Sequence, residues 1–350
     1  MKVGLRFSFP SYSYSFTNAY GNLIDATDQI VEPQFWAAYE WNIGSRFVVI
    51  PGLRWDMVSL AQLLSSGSNG YLADPRLSIL YRINNGLVLT AGGGIYHQRI
   101  INLNDENEIY TPFDLIMPLP DSIDQESAWD CTLGIVANPA ALTTVKGEIY
   151  YKDFSRLVGI NGQQVYATDQ GFVSGSGHAY GAELSFKFDM ETFYADVDYS
   201  YGMVTRELGG VSYIPRYDLR NQANFSMGIC PVPGVWLRVN WKIASGLPYT
   251  PLTGFLGQPN FDYTDIKSFG KGWVFPLPLF GAYNSARLPG YQSLDISIED
   301  EFQLFGKSVA MQIAMINLYD RRNVYYVNNV TLAVEYELPR MANVSLAFKF

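Results

Sequence analysis

Nowhere in its 350 residues does the chain offer 18 consecutive apolar residues, so it holds no candidate for a transmembrane helix. Charge is scarce as well: 16% of residues are Asp, Glu, Lys or Arg, where a soluble domain carries about a quarter. The charge present sums to −9 with a pI near 4.8. No Lys/Arg cluster or stripe appears, which excludes a nucleic-acid binder. The two cysteines, Cys131 and Cys230, stand far apart with no metal-ligand spacing. They are expected as unpaired thiols on strands, although an oxidising compartment would permit a disulfide. The first ten residues, MKVGLRFSFP, already alternate and contain neither an apolar h-region nor a small-residue cleavage site. An exported protein needs a signal, so the expectation is that the signal was removed or that the chain begins inside a longer protein.

Aromatic residues, by contrast, are abundant: 25 Tyr, 21 Phe and 7 Trp make 15% of the chain. Mean hydropathy is −0.00, as expected of strands with one face toward lipid and one toward water. A large soluble β-sandwich or solenoid shares that composition, so the pattern must decide. Period-two alternation recurs from end to end. Between Gln34 and Ile43, Phe35, Ala37, Tyr39, Trp41 and Ile43 share a face. Val235, Leu237, Val239, Trp241 and Ile243 oppose Arg238, Asn240 and Lys242. Leu294, Ile296 and Ile298 alternate with Asp295 and Ser297, and Val344, Leu346, Phe348 and Phe350 with Ser345, Ala347 and Lys349. About 14 such segments occur, each near the ~9–11 residues that a tilted strand needs to cross a bilayer. No stretch shows helical periodicity. All-β is the fold class.

Connections alternate between short and long. Short turns fall at Gly44–Ser45, Asn84–Gly86, Asn138–Leu142, Asp189–Thr192, Pro231–Gly234 and Leu304–Gly306, with the Gly, Asn and Pro chemistry of hairpins. Long polar stretches lie near 10–33, 58–73, 100–126, 154–177, 204–221, 245–290 and 319–340. Short turns at one end and long loops at the other are the mark of an outer-membrane-type, antiparallel up-and-down transmembrane β-barrel. The first strand then runs outward and the last inward. Arg54, Arg82, Lys146, Glu148, Glu183, Lys187, Asp196, Asp198, Arg238, Lys242 and Asp295 fall mainly on the polar faces. A basic side chain facing lipid at mid-membrane costs roughly 2–4 kcal/mol, and acidic ones less, so these charges are expected to line a wet interior. Aromatics crowd strand ends at Phe7–Phe16, Tyr150–Phe154, Tyr199–Tyr201 and Tyr325–Tyr326, where interfacial girdles would sit.

Several segments resemble the C-terminal barrel region of TonB-dependent receptors. They are Pro51-Gly52-Leu53-Arg54-Trp55-Asp56, Pro75-Arg76-Leu77-Ser78, Leu133-Gly134-Ile135 after Pro120 and Glu126, and Tyr180-Gly181-Ala182-Glu183-Leu184. Pro215-Arg216-Tyr217-Asp218-Leu219-Arg220, Ser245-Gly246-Leu247-Pro248-Tyr249, Leu288-Pro289-Gly290-Tyr291, Asn317-Leu318-Tyr319-Asp320 and the terminal Phe350 follow in order. The resemblance implies a Gram-negative outer-membrane location and energised uptake of a bulky nutrient such as a siderophore, cobalamin, a glycan or a peptide. It also implies contact with lipid, with barrel-assembly machinery through Phe350, and with TonB through an N-terminal plug. Family members have about 22 strands around a plug. Residues 1–350 read as a single barrel domain without a plug, corresponding to the last 14 strands. A self-contained 14-stranded passive channel is the alternative, and an outer-membrane enzyme or adhesin a third reading.

Catalytic and metal chemistry find little support, and no cofactor is expected. His97 and His178 are the only histidines, and His97 reads as a surface or girdle residue at a strand's outer end. The acidic run Asn104-Asp105-Glu106-Asn107-Glu108 lacks the ligand order and turn glycine of a calcium loop. Gly92-Gly93-Gly94 lies within a strand with no helix behind it, so it is no phosphate cradle. In the longest loop, Tyr249, Phe255, Phe261, Tyr263, Trp273 and Phe275 offer rings for stacking on a ligand; Tyr249, Phe261, Tyr263 and Trp273 are the candidate binding residues, with loop packing the competing account.

Overall fold

A computed structural model describes the chain except residues 10, 18–22, 30–31, 58–70, 104–114, 120–122, 161–171, 257–276, 329–330 and 350. Every regular element among the described residues is a strand, and no described helix is long and apolar enough to cross a membrane. Fourteen strands make one antiparallel wall: β1 (Lys2–Ser8), β2 (Glu32–Ala38), β3 (Phe47–Met57), β4 (Tyr71–Asn84), β5 (Leu87–Gln98), β6 (Glu126–Ala137), β7 (Thr143–Ile160), β8 (Phe172–Met190), β9 (Phe193–Leu208), β10 (Asn221–Val232), β11 (Val235–Ala244), β12 (Tyr291–Leu304), β13 (Lys307–Ile316) and β14 (Met341–Lys349). Each pairs with its neighbour in chain order, and β1 and β14 stand at the two ends of that path.

The six expected short turns all join consecutive strands. In the tightest, Phe305 and Gly306 both take positive φ, 52° and 74°, the backbone that matches the twist of a two-residue hairpin. The alternation across Gln34–Ile43 is interrupted: β2 ends at Ala38, and Trp41–Ile43 pairs separately with β3. At two expected loops, 154–177 and 204–221, the flanking strands run further than the alternation suggests. β7 runs on to Ile160, β8 starts at Phe172 and β9 reaches Leu208 before turning back as Val211–Tyr213. The cause is a bulge: the β7 register shifts between Phe154 and Leu157 on one side and opposite Ser127/Ala128 on the other. An extra residue bends and twists a strand without ending it.

Apolar side chains lie mostly on the outside. Leu133, Ile149, Leu184, Ile298 and Leu346 are between 48% and 58% exposed on one face of the wall, and Leu133 and Ile149 are direct cross-strand partners. A continuous bare apolar face of this extent calls for lipid or another apolar cover. The buried hydrophobic cluster sits elsewhere, at the long-loop end. Ile101, Met117, Leu119 and Val158 form it, with Ile123 and Phe172 packed against it. The hairpin of Ile100–Leu103 with Leu115–Pro118 covers the extended part of β7.

Candidate functional site

Opposite the apolar face, β8 to β12 present a polar one. Ser185, Lys187, Asp196, Asp198, Asn224, Ser226, Asn240, Lys242 and Asp295 line an open concavity of about 640 Å³. They occupy alternate positions on five successive strands, and the registers set them side by side: Ser185 opposite Asp198, Asp198 opposite Asn224, Asn240 opposite Asp295. Five charges that alternation assigns to a wet interior therefore meet in one surface. Lys187 lies 3.9 Å from Asp196, and Arg238 pairs with Glu299 at 2.7 Å on the same face. Asp196 Oδ1, 3.9 Å from the Lys187 ammonium and beyond its hydrogen-bond reach, and Asn224 Oδ1 are shielded from solvent and make no hydrogen bond. Such orphaned acceptors invite a donor from a molecule seated on the wall.

At the long-loop rim, motifs far apart in sequence converge. Asp218, 2% exposed, accepts from the Val204 amide at 3.1 Å and from Arg220 Nη2 at 3.1 Å, and also takes Arg287 Nη2. Arg287 Nη1 further donates to the carbonyls of Asp218 and Gly246, each at 3.0 Å. Gly246 has no alternative there, because a Cβ would stand 1.6 Å from the Leu288 carbonyl oxygen. Pro248 and Tyr249 then pair with Arg287 and Ala286. The loops after β9 and β11 are thus fastened to one buried carboxylate.

A second tie joins β12 to the segment after β13. Ladder pairing between these strands stops at Ile296–Met315, and side chains take over. The Asn317 amide donates to Asp295 Oδ1 at 2.9 Å, and the Leu318 amide to the Leu294 carbonyl at 2.7 Å. Asn323 accepts from the Gln292 amide at 3.0 Å and donates to its carbonyl at 2.9 Å. Arg321 reaches the Gly290 carbonyl at 2.8 Å. Asn317, at φ 51°, also donates to the carbonyls of Arg321 and Leu338.

Glu126, the first residue of β6 and above the bulge, accepts from the Val158 amide at 2.9 Å. His97 is not a bare girdle residue: its Nδ1 lies 2.8 Å from Oδ1 of Asp74, whose side chain is 3% exposed. Sequence reading missed this pair because 23 residues separate its members. His178 stacks on Tyr180 at 6.5 Å. Cys131 and Cys230 are free, on β6 and β10. Of the candidate stacking residues, Tyr249 is half-buried in the rim and Phe255 is exposed. Phe261, Tyr263, Trp273, Phe275, the 104–108 run and Phe350 lie outside the described residues. Among the described residues no group of three or more His, Cys, Asp or Glu is placed to hold a metal.

A family model described as TonB dependent receptor-like, beta-barrel, matches residues 2–318. No curated protein matches the chain. Among solved structures, the chain is similar to the ferric-catecholate import receptor Fiu of E. coli K12, with a TM-score of 0.61, 12% identity, and coverage of 93% of this chain and 45% of that one. A ferric enterobactin receptor, PfeA, of Pseudomonas aeruginosa gives a TM-score of 0.61 at 13% identity, covering 93% and 46%. FpvA of Pseudomonas aeruginosa, solved with ferric pyoverdine, gives 0.60 at 10%, covering 93% and 39%. At these identities the likeness is one of fold, and the chain spans less than half the length of each.

Proposed function

The chain belongs to the TonB dependent receptor-like β-barrel family, and from that premise we propose that it is part of the wall of an outer-membrane receptor for energised nutrient import. The observation that carries the reading is the two-faced sheet. One face is apolar enough for lipid, and the other holds a mixed-charge concavity with two orphaned acceptors. In this reading β1 and β14, which end the strand path, continue into further strands of a barrel of about 22, since bare ladder edges are costly in lipid. The concavity on β8 to β12 seats a plug through Lys187, Asp196, Asp198, Asn224, Lys242 and Asp295. TonB acts through that plug, barrel assembly reads the strand ending in Phe350, and the cargo is a siderophore, cobalamin, a glycan or a peptide held above the rim, with Tyr249, Phe261, Tyr263 and Trp273 as candidate contacts. Family and structural neighbours are transport receptors rather than enzymes.

The test is uptake by cells expressing the full receptor gene, using a panel of labelled cargoes from these four classes. Surface binding that survives a protonophore while accumulation stops is the expected result. Accumulation that continues without the proton-motive force, together with stable conductance by the isolated chain in planar bilayers, would replace this reading with a passive channel.

A further inference from the structure

The ladder between β4 and β5 stops part-way up. Paired residues run from Asn84–Leu87 to Arg76–Gly94, yet both strands continue: β4 to Tyr71, paired only with β3, and β5 to Gln98, paired only with β6. The break has a local cause. The next residue of β4 is Pro75, which has no N–H to donate. Immediately below the break β5 carries Gly92-Gly93-Gly94, three residues without side chains to stiffen it.

Above the break the two strands are joined by side chains. His97 Nδ1 meets Asp74 Oδ1 at 2.8 Å. Arg76 lies over the Tyr96 ring at 4.7 Å, with its Nη2 4.0 Å from Asp74 Oδ2. Asp74 is 2% exposed, and His97 is the group that reaches it across the seam, whereas Arg76 approaches it from its own strand. We propose that the outer half of this seam is a latched slit: His97–Asp74 holds it shut, the strands part there above Gly94, and the ladder below keeps the rest of the wall zipped. This inference is independent of the cargo and of how import is energised, because it concerns the wall alone.

Peptide-resolved amide exchange on the full receptor, expressed from its whole gene and purified in detergent micelles, tests it. For the unaltered chain, residues 71–75 and 95–98 should exchange at least tenfold faster than 77–84 and 87–93. His97→Ala and Asp74→Asn should each accelerate the outer peptides a further tenfold and leave the inner ones unchanged. His97→Gln retains a side-chain donor for Asp74 and should restore most of the protection, which separates a latch from general destabilisation. Equal protection along both halves of the unaltered chain would overturn the proposal. So would acceleration of both halves together in the Ala variant, or failure of the Gln variant to recover any protection.

Discussion

Two seams of the same wall lose their ladder toward the rim, and they are closed in opposite ways. Above Ile296–Met315, the β12/β13 seam is filled by Asn317, Asn323, Arg321 and Asp295, which bond main-chain groups directly. Above Arg76–Gly94, the β4/β5 seam has one hydrogen-bonded side-chain pair and one cation–ring contact. Side chains of Asn317, Asn323, Arg321 and Asp295, with the Leu318 amide on the Leu294 carbonyl, tie the first seam together where its ladder ends. The His97–Asp74 pair and the Arg76–Tyr96 stack close the second without substituting for its ladder. One seam of the wall is therefore sewn and the other clasped.

The comparison can be sharpened by substitution, and the largest effect lies at the rim node, outside both seams, with the sewn seam next. Asp218→Ala leaves Arg220 and Arg287 without their buried carboxylate and should cost about 3–5 kcal/mol, read as a drop in the denaturant midpoint of the chain in micelles. A midpoint unchanged by this substitution would mean that the rim unfolds apart from the wall. Next comes Asn317→Ala, which removes the partner of the Arg321 and Leu338 carbonyls and of the Arg321 amide and places alanine at positive φ. A loss of roughly 2–3 kcal/mol is expected. Asn317→Gly relieves the backbone part alone and should recover about 1 kcal/mol of it.

On the clasped side the measurement is exchange rather than stability. Pro75→Val restores an amide, and its added hydrogen bond, about 1 kcal/mol, is largely offset by the greater freedom of the unfolded chain. Protection at 95–98 should nevertheless rise, and His97→Ala made on top of it should no longer matter. If the double variant still exchanges like His97→Ala alone, proline is not what stops the ladder. Smallest of all is Lys187→Ala, away from both seams. Its partner is 3.9 Å distant and its side chain 57% exposed, so a change under about 0.5 kcal/mol is expected.

The wall was legible because its signals are local. Alternation places each residue on a face wherever the strand begins, and Gly, Asn and Pro at turns such as Asn84–Gly86 and Pro231–Gly234 mark the reversals. The face assignment of Lys187, Asp196, Asp198, Lys242 and Asp295 followed from the same period, and the structure brings those five together. Strand ends were less legible. The stretch 154–177 was expected as a long loop, yet 154–160 and 172–177 pair, because a bulge carries the ladder on and the paired strands Ile100–Leu103 and Leu115–Pro118 cover it. The seams were invisible, since they depend on where a ladder stops and on which side chains, 22 to 31 positions apart, then fill the gap. Asp218 and Asn317 stood within motifs whose order was plain, but nothing in sequence tells a fastening residue from a ligand contact.

The Asp218–Arg287–Gly246 node has a consequence for how such a chain can diversify. Gly246 and Arg287 lie 41 positions apart, and the Gly246 carbonyl accepts from the same Arg287 guanidinium that pairs with Asp218, so the node closes a ring of chain at its base. Closing a longer ring costs only slightly more entropy, about 0.6 kcal/mol per doubling of length. Whatever is spliced between those two residues, longer or shorter, is delivered at the same place with the same exit directions. The node acts as a socket, and a change in the length of the segment plugged into it leaves the attachment points on the wall where they are.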